Sequence, residues 1–476
     1  MSEPHHKNPS IAIIGAGPAG YPAAFHAADL GFNVTLIDPE AAPGGVCLYK
    51  GCIPSKTLLH VASFLNEAKE LAAHGITFEG THIDLDKLRH WKQSVIDKLT
   101  GGLGQLCKQR NVTYLQGTAN FRDAYTLNIK TKDGQTRQLG FDYAIIATGS
   151  KPTRIPSMIE SPRVIDSTGA LALEDVPESL LVVGGGYIGL ELGQVYAALG
   201  AKVSVVEMMP HLVPGADQDL IKILFKRLNQ QFAAIMLNTR VAHMKEEKDG
   251  IRVSLEDKDG KVSQETYAKV LVAIGRKPYT EGLGLENTAV KVTQQGFIET
   301  DAQRRTAEPT IFAIGDVTGQ PMLAHKGTAE AKVAVEAIAG KKVTFDPRAI
   351  PAVMFTDPEI AWCGVTESQA KNEGLDITVA TFPWAASGRA TSLGRNDGLT
   401  KIILEAGTNR ILGMGLAGHG AGEMIAEGVI AVEMGAVAED LALSIHPHPT
   451  LSETLMEAAE AASGQSVHAY RPKRQH

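Results

Sequence analysis

The stretch "SIAIIGAGPAGYPAAFHAADLGFNVTLID", residues 10–38, decides the fold. It joins an apolar strand, a G-x-G-x-x-G turn (Gly15, Gly17, Gly20), a helix of small residues, a second apolar strand and an acid, Asp38. The layout returns at residues 179–207, "SLLVVGGGYIGLELGQVYAALGAKVSVVE", with Gly184, Gly186, Gly189 and Glu207. From first glycine to acid is 23 residues in both copies, Gly15 to Asp38 and Gly184 to Glu207. A lone G-x-G-x-x-G is weak evidence in a glycine-rich chain. A strand before it, a helix after it, an acid at the second strand's end and a repeat at one spacing make it specific.

The physics is that of dinucleotide binding. The first glycine permits a tight turn, the second lets the backbone approach a pyrophosphate, and the third lets helix and strand pack closely. The helix N-terminus offers unpaired N–H groups and positive dipole to the phosphates. The acid accepts hydrogen bonds from the adenine-side ribose. Glu207 would repel a 2′-phosphate, and the residues after it, "MMPHL", contain no Arg, so the second site is expected to prefer NAD over NADP.

Further apolar strands complete these halves: "YAIIATGS" (143–150), "VLVAIGRKP" (270–278) and "TIFAIGDV" (310–317), the last carrying Asp316. A helix is expected near "MLAHKGTAEAKVAVEAIAG" (322–340). From residue 350 the pattern changes to short strands and helices without a dinucleotide motif. The expected architecture is α/β: two Rossmann-like dinucleotide-binding domains and a C-terminal α+β domain. The boundaries expected are 1–150 and 281–350 for the two parts of the first domain, 151–280 for the second and 351–476 for the third.

At 476 residues the chain is too long for one core. With 44% hydrophobic and 21% charged residues it has an ordinary globular balance. The net charge of −7 argues against nucleic acid as the main partner. No run of about 18 apolar residues suggests a membrane span. The N-terminal "MSEPHHKNPS" lacks the apolar core of a secretory signal and reads as a short disordered lead. Four cysteines in this length is cytoplasmic usage.

Two of those cysteines stand close together in "GGVCLYKGCIPSK", residues 44–56. Zinc would need two further ligands, and Cys107 and Cys363 stand alone. An inert structural disulfide is out of place in a cytoplasmic chain, and two unrelated buried thiols would need no such spacing. A redox pair fits best. Bridging requires Cα atoms within about 7 Å, so the segment must coil. A helix start and Lys56 would favour thiolate. A flavin dinucleotide between NAD and the thiols would complete an electron route.

The cysteine segment, both fingerprints, "AIGD" and the late "HPHPTLSE" (446–453) together resemble the dihydrolipoamide dehydrogenases of the flavin disulfide reductase family, over about residues 10–465. The resemblance implies FAD and NAD as cofactors and oxidation of protein-bound dihydrolipoyl groups. It makes Cys52 the thiol nearest the flavin and Cys47 the interchange thiol. His448 becomes the acid–base group, oriented by Glu453. It assigns Lys56, with Glu191 as partner, to the flavin, along with Gly45, Ala119, Gly149, Asp316 and Ala324. Ile188, Glu191, Val241, Ala273, Gly275 and Arg276 join the second fingerprint on the NAD side. It implies a homodimer in which His448 serves the other subunit. Its partners would be lipoyl domains and the E2 subunit of 2-oxo acid dehydrogenase complexes, or the glycine-cleavage H-protein. Three positions depart from the pattern: Asp38 for the more common Glu, Tyr187 for a smaller aliphatic, and Pro447 between His446 and His448.

Overall fold

Each fingerprint strand lies inside its own parallel sheet in the computed structural model, which describes residues 9–469. The expected lead before Pro9 and the end of the tail beyond Ala469 lie outside the described residues. In the first sheet Ser10–Ile14 sits between Asn33–Asp38 and Tyr143–Ile146. Ile311–Ala313 and Thr113–Asp123 lie beyond them. In the second, Ser179–Val183 sits between Lys202–Val206 and Lys269–Val272, with Ala234–Met236 and Val164–Ile165 outermost. These strands are apolar and buried on both faces, as parallel strands covered by helices must be.

The repeat extends beyond the fingerprint. After residue 116 the strand Thr113–Asp123 turns into an antiparallel meander with Thr126–Thr131 and Thr136–Gly140. The second unit carries its own meander, Thr239–Glu247, Gly250–Asp257 and Val262–Tyr267, at the same point of the chain. Residues Arg276–Pro278 pair antiparallel with Ser150–Pro152, where the chain leaves and re-enters the first unit. The helix Ala324–Ile338 then packs on Gly20–Asp29.

The C-terminal unit is a five-stranded antiparallel sheet in the order Ala352–Met354, Glu359–Gly364, Ile411–Gly418, Leu399–Glu405, Ile377–Pro383. Helices Ala421–Met434 and Glu453–Ser463 share its core. The expected combination of two dinucleotide-binding folds and an α+β unit is what forms.

One packing contact positions the site. The helix Cys52–Glu70 leaves the first unit and buries Leu58, Leu59 and Ala62 in the same core as Leu190, Leu192 and Val195 of the helix Tyr187–Leu199. The cysteines of the first unit thereby meet the fingerprint helix of the second.

The glycine spacing is enforced by backbone contact. A Cβ on Gly20 would lie 1.8 Å from the Gly15 carbonyl oxygen, and one on Gly189 would lie 2.5 Å from that of Gly184. Gly20→Ala is therefore expected to lower stability by about 1–3 kcal/mol through overpacking, read as a fall in Tm. An unchanged Tm would show that the helix re-seats freely.

Candidate active site

Cys47 lies in the short helix Gly45–Lys50, and Cys52 opens the helix Cys52–Glu70, with Gly51 between. A Cβ on Gly51 would come within 3.0 Å of the Val46 carbonyl oxygen and 3.3 Å of the Cys47 Cα, so glycine lets the two helices close on each other. The two sulfurs are close enough to share a hydrogen bond. That bond, helped by the Lys56 ammonium, outweighs burial and brings the Cys52 thiol down to about 7. The same bond, with burial, pushes Cys47 up. Cys52 is the thiol that ionises first, as its place at a helix start favours.

Lys56 lies one turn along the helix from Cys52. Its ammonium donates to Glu191 Oε2 at 2.8 Å and sits 4.6 Å above the Phe355 ring centroid. Glu191 is 2% exposed. It also accepts from the Ser55 hydroxyl at 3.1 Å and, on Oε1, from the Phe355 N–H at 2.9 Å. A carboxylate so buried needs this full set of donors. Expected on the NAD side as well as beside Lys56, Glu191 has its oxygens turned to Lys56, Ser55 and Phe355.

The two terminal acids are used alike. Asp38 Oδ2 accepts from the Ala16 N–H at 2.7 Å, and Glu207 Oε2 from the Gly185 N–H at 2.6 Å. Each second oxygen takes a following N–H, Glu40 for Asp38 and Met209 for Glu207. Burial pushes the Asp38 carboxyl up, against those N–H groups. Gly17 and Gly45 face each other across the first fingerprint; a Cβ on Gly45 would lie 2.4 Å from the Gly17 Cα. Space within 4 Å of a Cβ on Gly186 is open, as close approach of a ligand backbone requires.

Asp316 accepts from the Ser150 hydroxyl, which in turn accepts from Arg276 Nε at 2.7 Å. This chain links the two dinucleotide units beside Gly149, which lies at φ +73°, and Gly275, at φ +109°. Ala324 begins the helix Ala324–Ile338, and His325 bonds the Pro351 carbonyl rather than another side chain. Ala119 is buried in the first meander, Ala273 is buried at the end of a second-sheet strand, and Val241 lies at a bulge. Ile188 and Tyr187 open the helix Tyr187–Leu199; burial raises the Tyr187 hydroxyl to about 12.

His448 and Glu453 lie elsewhere. His448 Nδ1 meets Glu453 Oε1 at 2.8 Å, and the Thr450 N–H donates to Glu453 Oε2 at 2.7 Å. Partial burial pushes the Glu453 carboxyl up, but that N–H and the imidazole outweigh it and hold the carboxyl below the usual range. The His448 side chain is 74% exposed. Among the described residues, no hydrogen bond of the same chain joins it to either cysteine. His446 is instead tied to Glu427 at 2.7 Å. Around this corner Ile430, Met434, Leu443 and Ile445 are exposed, Ile445 by 98%.

Residues 9–331 match the family described as pyridine nucleotide-disulphide oxidoreductase, and residues 350–459 match its dimerisation domain. The chain belongs to this family. Similar proteins include the dihydrolipoyl dehydrogenases of Vibrio parahaemolyticus (48% identical) and Vibrio cholerae (49% identical), each aligned over 95% of both chains. Among solved structures, LpdA of Mycobacterium tuberculosis aligns with TM-score 0.88 at 27% identity, over 95% of this chain and 99% of its own. This oxidoreductase uses the family's cofactors, FAD and NAD. The two glycine cradles and their acids fit two dinucleotides, and its dimerisation domain makes it a homodimer. No helix among the described residues is long and apolar enough to cross a membrane.

Sequence reasoning about this oxidoreductase missed Phe355, Gln194 and Asp357, whose contacts run through backbone groups far away in the chain. It also missed Ser150, the link between Asp316 and Arg276. Among the described residues one acidic trio, Asp217, Asp219 and Glu367, lies close enough to hold a metal. The Lys401 ammonium already donates to all three.

Proposed function

We propose that the protein is a dihydrolipoyl dehydrogenase, the E3 component of a 2-oxo acid dehydrogenase or glycine-cleavage complex. The observation that carries the reading is the Cys47–Cys52 pair closed across Gly51 at a helix start, beside the Lys56–Glu191 ion pair, in a chain that aligns over 95% of its length with dihydrolipoyl dehydrogenases. Cys52 has the Lys56 ammonium one turn away to stabilise its thiolate, and Cys47 is left for exchange.

The turnover begins from the Cys47–Cys52 disulfide. A dihydrolipoyl thiol gives its proton to His448 Nε2, the nitrogen left free by Glu453, and attacks Cys47 Sγ. The S–S bond breaks, Cys52 leaves as a thiolate, and a lipoyl–Cys47 mixed disulfide remains. The second lipoyl thiol attacks the lipoyl sulfur of that bond, and its proton passes to the departing Cys47 sulfur. Cys47 is released, the lipoyl ring closes, and the electron pair rests on the two cysteines. Bound FAD would supply the two-electron chemistry that connects those cysteines with NAD. On the FAD side Gly15, Gly17, Gly20, Gly45 and Asp38 would hold the phosphates and ribose, with Lys56, Ala119, Gly149, Asp316 and Ala324 lining the rest. On the NAD side Gly184, Gly186, Ile188, Gly189 and Glu207 would do so, with Val241 and residues 273–276 along the pocket.

His448 of one protomer would face the cysteine pair of its partner. The physiological substrate would be a lipoyl domain, of an E2 subunit or the H-protein. Four cysteines in 476 residues suit a cytoplasmic setting.

The test is NAD reduction by dihydrolipoamide, with glutathione as the rival disulfide system. Turnover with NAD and none with glutathione is expected. The cofactor arm uses NADP. Both Glu207 oxygens are engaged and anionic at the ribose end, so NADP is expected to react at least roughly a hundredfold more slowly in kcat/KM. Equal rates would remove the role given to Glu207.

A further inference from the structure

Glu191 and Gln194 lie three apart on the helix Tyr187–Leu199, hence on one face, and each is 2% exposed. Both are satisfied by one short segment of the C-terminal unit. Phe355 N–H donates to Glu191 Oε1, and Asp357 N–H donates to Gln194 Oε1 at 2.8 Å. Gln194 Nε2 donates to the Asp357 carbonyl at 2.9 Å and to Gln231 Oε1 at 2.6 Å. The Asp357 carboxylate is clamped by two arginines. Arg227 reaches Oδ2 at 3.0 Å, and Arg395 bonds Oδ1. Arg227 also pairs with Glu70, the last residue of the helix Cys52–Glu70. That helix is therefore pinned twice to the same segment, near its start through Lys56–Glu191–Phe355 and at its end through Glu70–Arg227–Asp357.

We propose that Asp357 is a positioning residue for the cysteine site: its clamp fixes the register of residues 355–357, and through Phe355 it fixes the Lys56 ammonium against Glu191 beside Cys52. Two features of Phe355 hold that ammonium, its N–H on Glu191 and its ring beneath the Lys56 nitrogen. When Asp357 lets the segment slip, both are lost together. Lys56 can then swing toward water, and the Cys52 thiolate loses its nearest cation. Within the same chain the other groups facing that sulfur are the Cys47 thiol, Glu191, Tyr21 and Tyr187, and none of them is a cation; His448 of the partner subunit, which the reading above sets before the pair, is changed by neither variant. Loss of Lys56 from its place therefore has one direction, toward the neutral thiol.

The inference rests on the reading above only for the identity of the working thiols. Its test is the pH profile of Cys52 alkylation in reduced protein, followed by mass spectrometry, with Tm alongside. Asp357→Asn keeps the shape and removes the charge that the two arginines grip. The alkylation midpoint is expected to rise by about half to one pH unit. Gln194→Met, on the opposite side of the clamp and close in size, is expected to give a shift of the same sign. It serves as the probe if Asp357→Asn does not fold. In a Lys56→Met background either change is expected to add nothing, because both act through Lys56. A lowered Tm with an unmoved midpoint would overturn the proposal, as would a shift that adds fully to that of Lys56→Met. A wild-type protein without lipoamide turnover, whose midpoint still moves in the variants, would overturn the functional reading and leave this one standing.

Discussion

Cys52→Ser is expected to abolish lipoamide turnover and, with it, the long-wavelength absorbance by which a thiolate reveals itself against an oxidised flavin. Cys47→Ser is expected to abolish turnover but keep that absorbance. The difference follows from the split between the two sulfurs. Cys52 opens a helix, takes the hydrogen bond of its neighbour and has Lys56 one turn away, so its thiol comes down to about 7. Cys47 is pushed the other way. With Cys47 replaced by Ser, a hydroxyl still donates to Cys52, and the thiolate persists. With Cys52 replaced, the remaining sulfur has no such support. The pH dependence has a definite sign: in Cys47→Ser the absorbance should appear as pH rises through the Cys52 value and vanish below it. Absorbance that depends on Cys47 and survives the loss of Cys52 would reverse the two roles.

His448→Gln is expected to lower lipoamide turnover by roughly a hundred- to ten-thousand-fold, the range for loss of a positioned proton acceptor. NADH-driven reduction of a one-electron dye, which needs no thiol proton transfer, should be largely retained. A matching loss of dye reduction would mean that the change had damaged the whole site. The exposure of His448, a few positions after the exposed Leu443 and Ile445, leads to a second experiment. His448→Gln and Cys47→Ser subunits are dissociated, mixed and reassociated. A heterodimer has one intact site, with Cys47 from one parent and His448 from the other, so some lipoamide activity should return. Folded heterodimers without activity would show that His448 serves its own chain.

The two dinucleotide folds were legible because their determinants are local. Glycines that carry no Cβ, and an acid at fixed distance, leave a pattern within about thirty residues. The pairing of Asp38 with Ala16 and of Glu207 with Gly185 repeats because the turns repeat. The cysteine pair and the His448–Glu453 dyad were legible for the same reason, each spanning five positions. The support beneath them was not. Phe355 holds Glu191 by a backbone N–H across 164 positions, and any residue but proline supplies that group. Gln194 reads as an ordinary helix residue until its two bonds to Asp357 are seen. The strands Leu399–Glu405 and Ile411–Gly418 are buried almost throughout rather than at alternate positions, so a change of domain was visible in sequence while the order of its sheet was not.

The His448–Glu453 corner has a genetic consequence. If each active site draws its cysteines from one protomer and its imidazole from the other, inheritance acts on pairs. A subunit lacking both Cys47 and His448 would silence both sites of any dimer it enters. Expressed equally with the normal chain and assembling at random, it would leave about a quarter of the dimers working. A defect that is harmless in a monomeric enzyme with one good copy would here be dominant, and its severity would rise with the square of the normal subunit's dilution.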